Sequence, residues 1–126
     1  IYTVAEMLAR QDDINVLMVK DYIRCPKVNG YRSYHIIIEV PVFFSDRKEN
    51  MRVEVQIRTI AMDFWASLDH QMKYKKDVED ASEISDELKE CAEVIAQTDL
   101  KMLALRRKIE DRESRENPLQ FDKDLP

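Results

Sequence analysis

A chain of 126 residues with 44% apolar side chains is one domain at most, able to bury a core but leaving much of its surface wet. Its net charge of −5 argues against bulk attraction to nucleic acid or an anionic membrane, so any bound anion must be held by a local basic patch. No apolar run approaches the ~20 residues of a membrane span and no signal-peptide pattern opens the sequence, while Cys25 and Cys91 match no metal spacing and read as reduced thiols. We therefore expect a cytoplasmic protein with no membrane partner.

The sequence opens on Ile1, and its first residues already read as mid-helix, so an N-terminal part is expected to be missing, by truncation or disorder. Tyr2 to Gln11 reads as the end of an amphipathic helix with Val4, Met7 and Leu8 on one face, broken by Asp12-Asp13. Ile14 to Tyr22 reads as a strand. Ile14, Val16 and Met18 alternate there with Asn15, Leu17 and Val19, and two fairly apolar faces place it inside a sheet. The loop Arg24 to Tyr31 follows. Pro26 holds Cys25 extended, and Asn29-Gly30 is a turn dipeptide that tolerates positive φ.

Strands are predicted at Tyr34 to Phe44 and Met51 to Thr59, joined by a charged hairpin tip, Ser45 to Asn50, with Pro41 marking an edge or a bulge. On the second strand Val53, Val55 and Ile57 share one face and Arg52, Glu54, Gln56 and Arg58 the other, a core face and a polar row. A helix is predicted from Ile60 to about Lys76. It carries an apolar stripe (Ala61, Trp65, Leu68, Met72), a second stripe (Asp63, Ser67, His70, Tyr74), and Lys73, Lys75 and Lys76 in its last turn. After an acidic break, Asp77 to Asp80, Ser82 reads as the N-cap of a long helix. Ile84, Leu88, Cys91, Ile95, Thr98, Met102, Leu105 and Ile109 form a heptad-like seam along it, fit to pack on its own domain or on a neighbour. The tail, residues 113–126, reads as loose.

The chemistry gathers between Asp21 and His70. A cationic turn with an aromatic, next to a strand bearing a carboxylate, suits a nucleotide. Cations and amides hold phosphates, the ring stacks on a base, and the carboxylate binds a metal or takes a proton. Each feature also has a plainer reading. Lys27, Asn29 and Tyr31 would serve as a solvated turn, Glu54 as an exposed strand residue, Arg58 as its ion-pair partner or that of Asp63, and His70 as a packed histidine. No Gly-rich phosphate loop, Ser/His/Asp order or Cys/His metal set is present. The residues by themselves lead to an α+β domain with a nucleotide site between a basic loop and an acidic strand.

At these residues the sequence closely resembles the RelA/SpoT-type alarmone synthetases, and most of all the small, single-domain synthetases of Gram-positive bacteria. The resemblance rests on YIRCPKVNGYRSYH (Tyr22 to His35), VEVQIRT (Val53 to Thr59) and AMDFWASLDH (Ala61 to His70), in matching order and spacing, and runs from Tyr2 to about Arg112. It implies an α+β, nucleotidyltransferase-like fold: a mixed, largely antiparallel sheet flanked by helices, with a long C-terminal helix. Residues 1–112 would be the C-terminal portion of one synthetase domain, with 81–112 as that helix.

The resemblance also implies an activity, the transfer of pyrophosphate from ATP to the 3′-hydroxyl of GDP or GTP, giving ppGpp or pppGpp with Mg2+ as cofactor. In that role Tyr31 stacks on guanine, Asn29 hydrogen-bonds the base, and Lys27 and His35 contact the acceptor's phosphates or ribose. Ala66 lies against the guanine. Glu54 sits by the magnesium and helps activate the 3′-hydroxyl, while Gln56 and Arg58 support its strand. Asp69, with His70 after it, stands where we expect Glu, which shortens any functional reach by one methylene. The basic residues for ATP and the second magnesium carboxylate, an Asp, are expected upstream, so this fragment alone is expected to be inactive. Relatives imply a homotetramer with contacts from the C-terminal helices, and regulation by pppGpp or single-stranded RNA in some members. The competing expectations are a catalytically silent guanosine-nucleotide or RNA-binding module, and an assembly module built on the long helix.

Overall fold

The computed structural model describes residues 1–74 and 81–116. The expectations for Lys75, Lys76, the acidic break Asp77 to Asp80 and the tail beyond Glu116 lie outside these residues. In chain order the elements are α1 (Tyr2–Ala9), β1 (Asn15–Asp21), β2 (Tyr34–Phe43), β3 (Lys48–Ile57), α2 (Ile60–Tyr74) and α3 (Ala81–Glu116). The architecture is α+β, as expected. The strands form one sheet in the order β1-β2-β3, and both pairings are antiparallel. No helix among the described residues is long and apolar enough to cross a membrane.

The β-branched centre of β2 makes the core. Ile36 and Ile38 point to one face of the pleat and are 2% and 4% exposed. Ala5 of α1 closes on them, and Leu8, Ile14, Tyr34, Val40, Val55 and Ile57 pack around. The helix therefore meets the sheet through its Ala5–Leu8 side. Leu8 lies on the expected face, but Val4 and Met7 are exposed. The small Ala5 lets the helix come close, and bulkier neighbours at that point would hold it off.

β1 differs more. Its two apolar faces suggested an inner strand, yet among the described residues it pairs only with β2 and stands at an edge. Val16, Leu17, Met18 and Val19 are 37–51% exposed, and the ladder shifts register between Val16 and Met18. Apolar alternation reports which side chains could be buried, not which neighbour supplies the burial. Pro41 behaves as its chemistry requires. β1's ladder ends at Asn15↔Glu39, so Pro41 faces only Asn50 of β3, an edge position on the other side. The hairpin tip is shorter than expected. Phe43 pairs with Lys48, and the Phe44 amide donates to the Arg47 carbonyl at 2.7 Å.

α2 starts where Thr59 caps it. The Met62 amide donates to Thr59 Oγ1 at 3.2 Å. Its buried side is Met62, Trp65 and Asp69, with Leu68 of the expected stripe 40% exposed. α3 begins by Ala81, so Ser82 lies inside its first turn, and the helix continues past Arg112 to Glu116. The seam on α3 holds at Ile84, Leu88 and Ile95, which are half-buried, and shifts at two positions. Ala92 is buried and Asp99 half-buried, where Cys91 and Thr98 were expected to face inward and are exposed. The helix backs onto a glycine turn and a threonine hydroxyl, and these select a small side chain and a carboxylate. From Leu100 onward every described residue of α3 is exposed.

Candidate functional site

The loop between β1 and β2 is pinned at its entrance by Asp21. Its Oδ1 accepts from the amides of Ile23 and Arg24, both at 3.0 Å, and its Oδ2 from the Tyr2 hydroxyl at 2.8 Å. Partial burial would push this carboxyl up, but those bonds and the Arg24 guanidinium outweigh it and hold its pKa below the usual value. The turn then closes on itself. Lys27 N donates to the Tyr31 carbonyl at 3.1 Å, Gly30 N to the Lys27 carbonyl at 2.9 Å, and Tyr31 N to Asn29 Oδ1 at 3.1 Å. Gly30 sits at φ 97°, where other residues are strained, which bears out the turn dipeptide.

Tyr31 is the centre of the site. Lys27 Nζ stands 5.2 Å and Arg58 Cζ 5.7 Å from its ring centroid, and the Trp65 ring lies 6.4 Å away. Lys27 also covers Tyr22 at 4.9 Å. From the Tyr31 hydroxyl a hydrogen-bonded chain crosses the sheet. Arg58 Nη2 donates to the hydroxyl at 3.2 Å, the hydroxyl meets His35 Nε2 at 3.0 Å, and His35 Nδ1 meets Glu54 Oε1 at 3.0 Å. The register explains the last step: His35 lies opposite Gln56 and Ile37 opposite Glu54, so His35 and Glu54 are diagonal neighbours on one face.

Burial pushes the His35 pKa below its ordinary value. The Glu54 carboxylate opposes that shift, and the Arg58 and Lys27 charges reinforce it. The ring is therefore neutral at neutral pH. A carboxylate can only accept, so the proton sits on Nδ1 and is donated to Glu54, and Nε2 accepts from the tyrosine. Arg58 is tied further, to Asp63 at 2.8 Å and to Gln56 Oε1. Of its two candidate partners, Asp63 takes the ion pair and Glu54 goes to the histidine.

A cavity of about 490 Å³ opens beside this chain, lined by Lys27, Asn29, Tyr31, Arg58, Ala66 and Asp69, with Ser67, His70 and Lys73 completing the wall. Seven of the ten residues picked from the sequence thus share one wall. The remaining three lie next to it: His35 behind Tyr31, Glu54 behind His35, and Gln56 in an adjoining hollow of about 380 Å³ with Arg58, Thr59 and Asp63. Asp69 is buried and pairs with Lys73 at 3.0 Å. Lys73, Ser67 and Tyr22 were not picked. Ser67 shares the helical stripe that holds His70, a signal that could have found it. Lys73 read as a dipole partner and Tyr22 as a strand end.

Lys27, Arg58 and Lys73 face the cavity, and with Asp63 on Arg58 and Asp69 on Lys73 they leave a small local excess of positive charge on an acidic chain, suited to an anion carrying a flat ring. Among the described residues no cluster of three or more His, Cys, Asp or Glu could hold a metal ion alone. Magnesium usually takes one or two carboxylates, with waters and substrate phosphates filling its shell. Glu54, with a half-exposed carboxylate, fits as one such ligand.

Comparison with known proteins gives a consistent picture. Residues 1–79 match the region found in RelA / SpoT proteins. The chain is 48% identical over 110 residues to the GTP pyrophosphokinase YwaC of Bacillus subtilis (strain 168), covering 87% of this chain and 52% of that protein. It superposes on the crystal structure of small alarmone synthetase 2 from Bacillus subtilis with a TM-score of 0.80 at 50% identity, covering 86% of this chain and 59% of that one. Small alarmone synthetase 1 from Bacillus subtilis, bound to its product pppGpp, matches with a TM-score of 0.77 at 33% identity, covering 86% and 55%. The chain spans about half the length of the curated relatives it matches.

Proposed function

The chain belongs to the RelA/SpoT family, and we propose that the full-length protein is a (p)ppGpp synthetase to which this chain contributes the acceptor-nucleotide half of the site. The reaction moves the terminal pyrophosphate of ATP onto the 3′-hydroxyl of GDP or GTP. The O3′–Pβ bond forms, the bond from Pβ to the α–β bridging oxygen breaks, and AMP leaves. The observation that carries the reading is the chain from the Tyr31 ring through His35 to Glu54. It sets an aromatic platform and a carboxylate on one face, two hydrogen bonds apart.

In this reading Tyr31 stacks on guanine and Asn29 hydrogen-bonds it, with Ala66 against the base. Lys27 holds the acceptor's ribose or phosphates, while His35, given that contact in the sequence reading, has both ring nitrogens taken by Tyr31 and Glu54 and acts through them. Glu54 receives the proton of the 3′-hydroxyl, and His35, donating to its other side, holds it in place. Gln56 and Arg58 brace the strand from the adjoining hollow. Bound magnesium, with Glu54 among its ligands, would neutralise phosphate charge. The ATP-side residues and the second metal carboxylate belong, in this reading, to the part of the family domain that this chain does not span. We also place the protein in the cytoplasm as a homotetramer, the exposed Met102, Leu103, Leu105 and Ile109 of α3 supporting a contact between copies.

The test uses full-length protein with ATP, magnesium and GDP or GTP, and looks for a 3′-pyrophosphorylated guanosine. Tyr31→Ala should raise the acceptor KM by about 5- to 150-fold, the loss of a ~1–3 kcal/mol stacking contact, and leave the ATP KM unchanged. No product, with guanosine nucleotide still bound in a Tyr31-dependent way, would favour a silent nucleotide-binding module instead.

A further inference from the structure

The family region matches residues 1–79, and α3 lies beyond it. Yet the acceptor loop is built against α3. A Cβ added to Gly30 would come within 3.0 Å of Ala92 Cβ and 3.5 Å of Lys89 Cα, so the helix surface shapes the turn. Arg32, only 8% exposed, bridges the two. Its Nη1 donates to the Gly30 carbonyl at 3.1 Å, and its Nη2 to Glu93 Oε1 of α3 at 2.9 Å. The Trp65 indole donates to the Leu88 carbonyl at 2.6 Å, and Thr59 Oγ1 to Asp99 at 2.6 Å, so α2 and the end of β3 register on the same helix.

From this geometry we infer that α3 is a working wall of the acceptor site, and that Arg32 and Glu93 are positioning residues that set affinity for the acceptor nucleotide. The inference rests on the reading of Lys27, Asn29 and Tyr31 as acceptor contacts. A buried guanidinium needs its donors met, and an Arg fork can meet two acceptors at once where a Lys ammonium is a single point. With Glu93 gone, the guanidinium turns towards water and releases the Gly30 carbonyl. Gly30 N and the Tyr31 amide are bonded to Lys27 and Asn29 within the same turn, so all three contact residues shift together. Displacements of ~1 Å at a positioned group cost large factors in rate or binding. The Glu93–Arg32 pair is half in solvent, so its weight lies in geometry rather than charge.

The experiment measures steady-state synthesis and equilibrium GDP binding with full-length protein carrying Glu93→Ala, Glu93→Gln or Arg32→Lys. Glu93→Ala and Arg32→Lys should raise the acceptor KM and the GDP dissociation constant about tenfold, ~1.4 kcal/mol, with the ATP KM unchanged. Glu93→Gln keeps an oxygen acceptor and should fall between them and wild type. Should Glu93→Ala fail to fold, Glu93→Gln and Arg32→Lys carry the comparison. An unchanged acceptor KM, an equal rise in both KM values, or a fall in kcat alone would overturn the inference, since a merely structural pair lowers the amount of active enzyme without choosing between substrates. If wild type binds GDP but makes no product, the synthetase reading fails on its own. GDP affinity in the variants then still decides the role of Arg32 and Glu93.

Discussion

Gly30 and His35 carry the tightest constraints at the scale of single residues. Gly30 combines φ 97° with a 3.0 Å limit against Ala92. Gly30→Ala should cost roughly 1–2 kcal/mol from backbone strain alone, read as a lowered denaturant midpoint, and should weaken guanosine-nucleotide binding as the turn backs off α3. His35 links stability to pH. Its folded pKa lies below the ordinary 6.5, so the unfolded chain binds more protons in the interval between the two values. Stability should therefore be full above that ordinary value and decline as pH falls through the interval. Chemical denaturation between neutral pH and about pH 5 checks this, with His35→Gln expected to flatten the slope. The loop residues were legible because a turn dipeptide, a cation and an aromatic announce themselves within a few positions. The tautomer of His35 was not, because its partners come from Tyr31 on the loop and Glu54 on the next strand.

Elements were legible where local chemistry decides them. The strand pair of β2 and β3, its polar row and the break at the loop follow from alternation and turn residues. Faces set by distant partners were misjudged. β1 looked like an inner strand and stands at an edge among the described residues, and the α3 stripe keeps Ile84, Leu88 and Ile95 half-buried but turns Ala92 and Asp99 inward in place of Cys91 and Thr98. No short-range pattern marks Asp99 as the partner of Thr59. That threonine joins two elements: it caps α2 through the Met62 amide and binds α3 through Asp99. Thr59→Ala should cost about 0.5–2 kcal/mol from the lost cap, measured by thermal or urea unfolding. Thr59→Ser, which keeps the hydroxyl, should recover most of that stability.

At the scale of the whole molecule, the three-stranded sheet of the described residues carries the candidate site and a long helix backs it. The core of Ile36, Ile38 and Ala5 lies on one face of β2, and His35 with Glu54 lies on the other, so burial and chemistry divide along the pleat. The family and the turn from Lys27 to Tyr31 could be read from linked motifs. The dependence of that loop on α3 could not, because Arg32 and Glu93 are 61 residues apart. The most direct measurement is the rate of 3′-pyrophosphorylated guanosine formation by full-length wild-type protein and Glu54→Gln, with nucleotide binding followed in parallel. A synthetase working through Glu54 loses about 10²–10⁴ in rate in the variant while still binding GDP or GTP. Equal rates in the two proteins would contradict the role given to Glu54 and the site built around it.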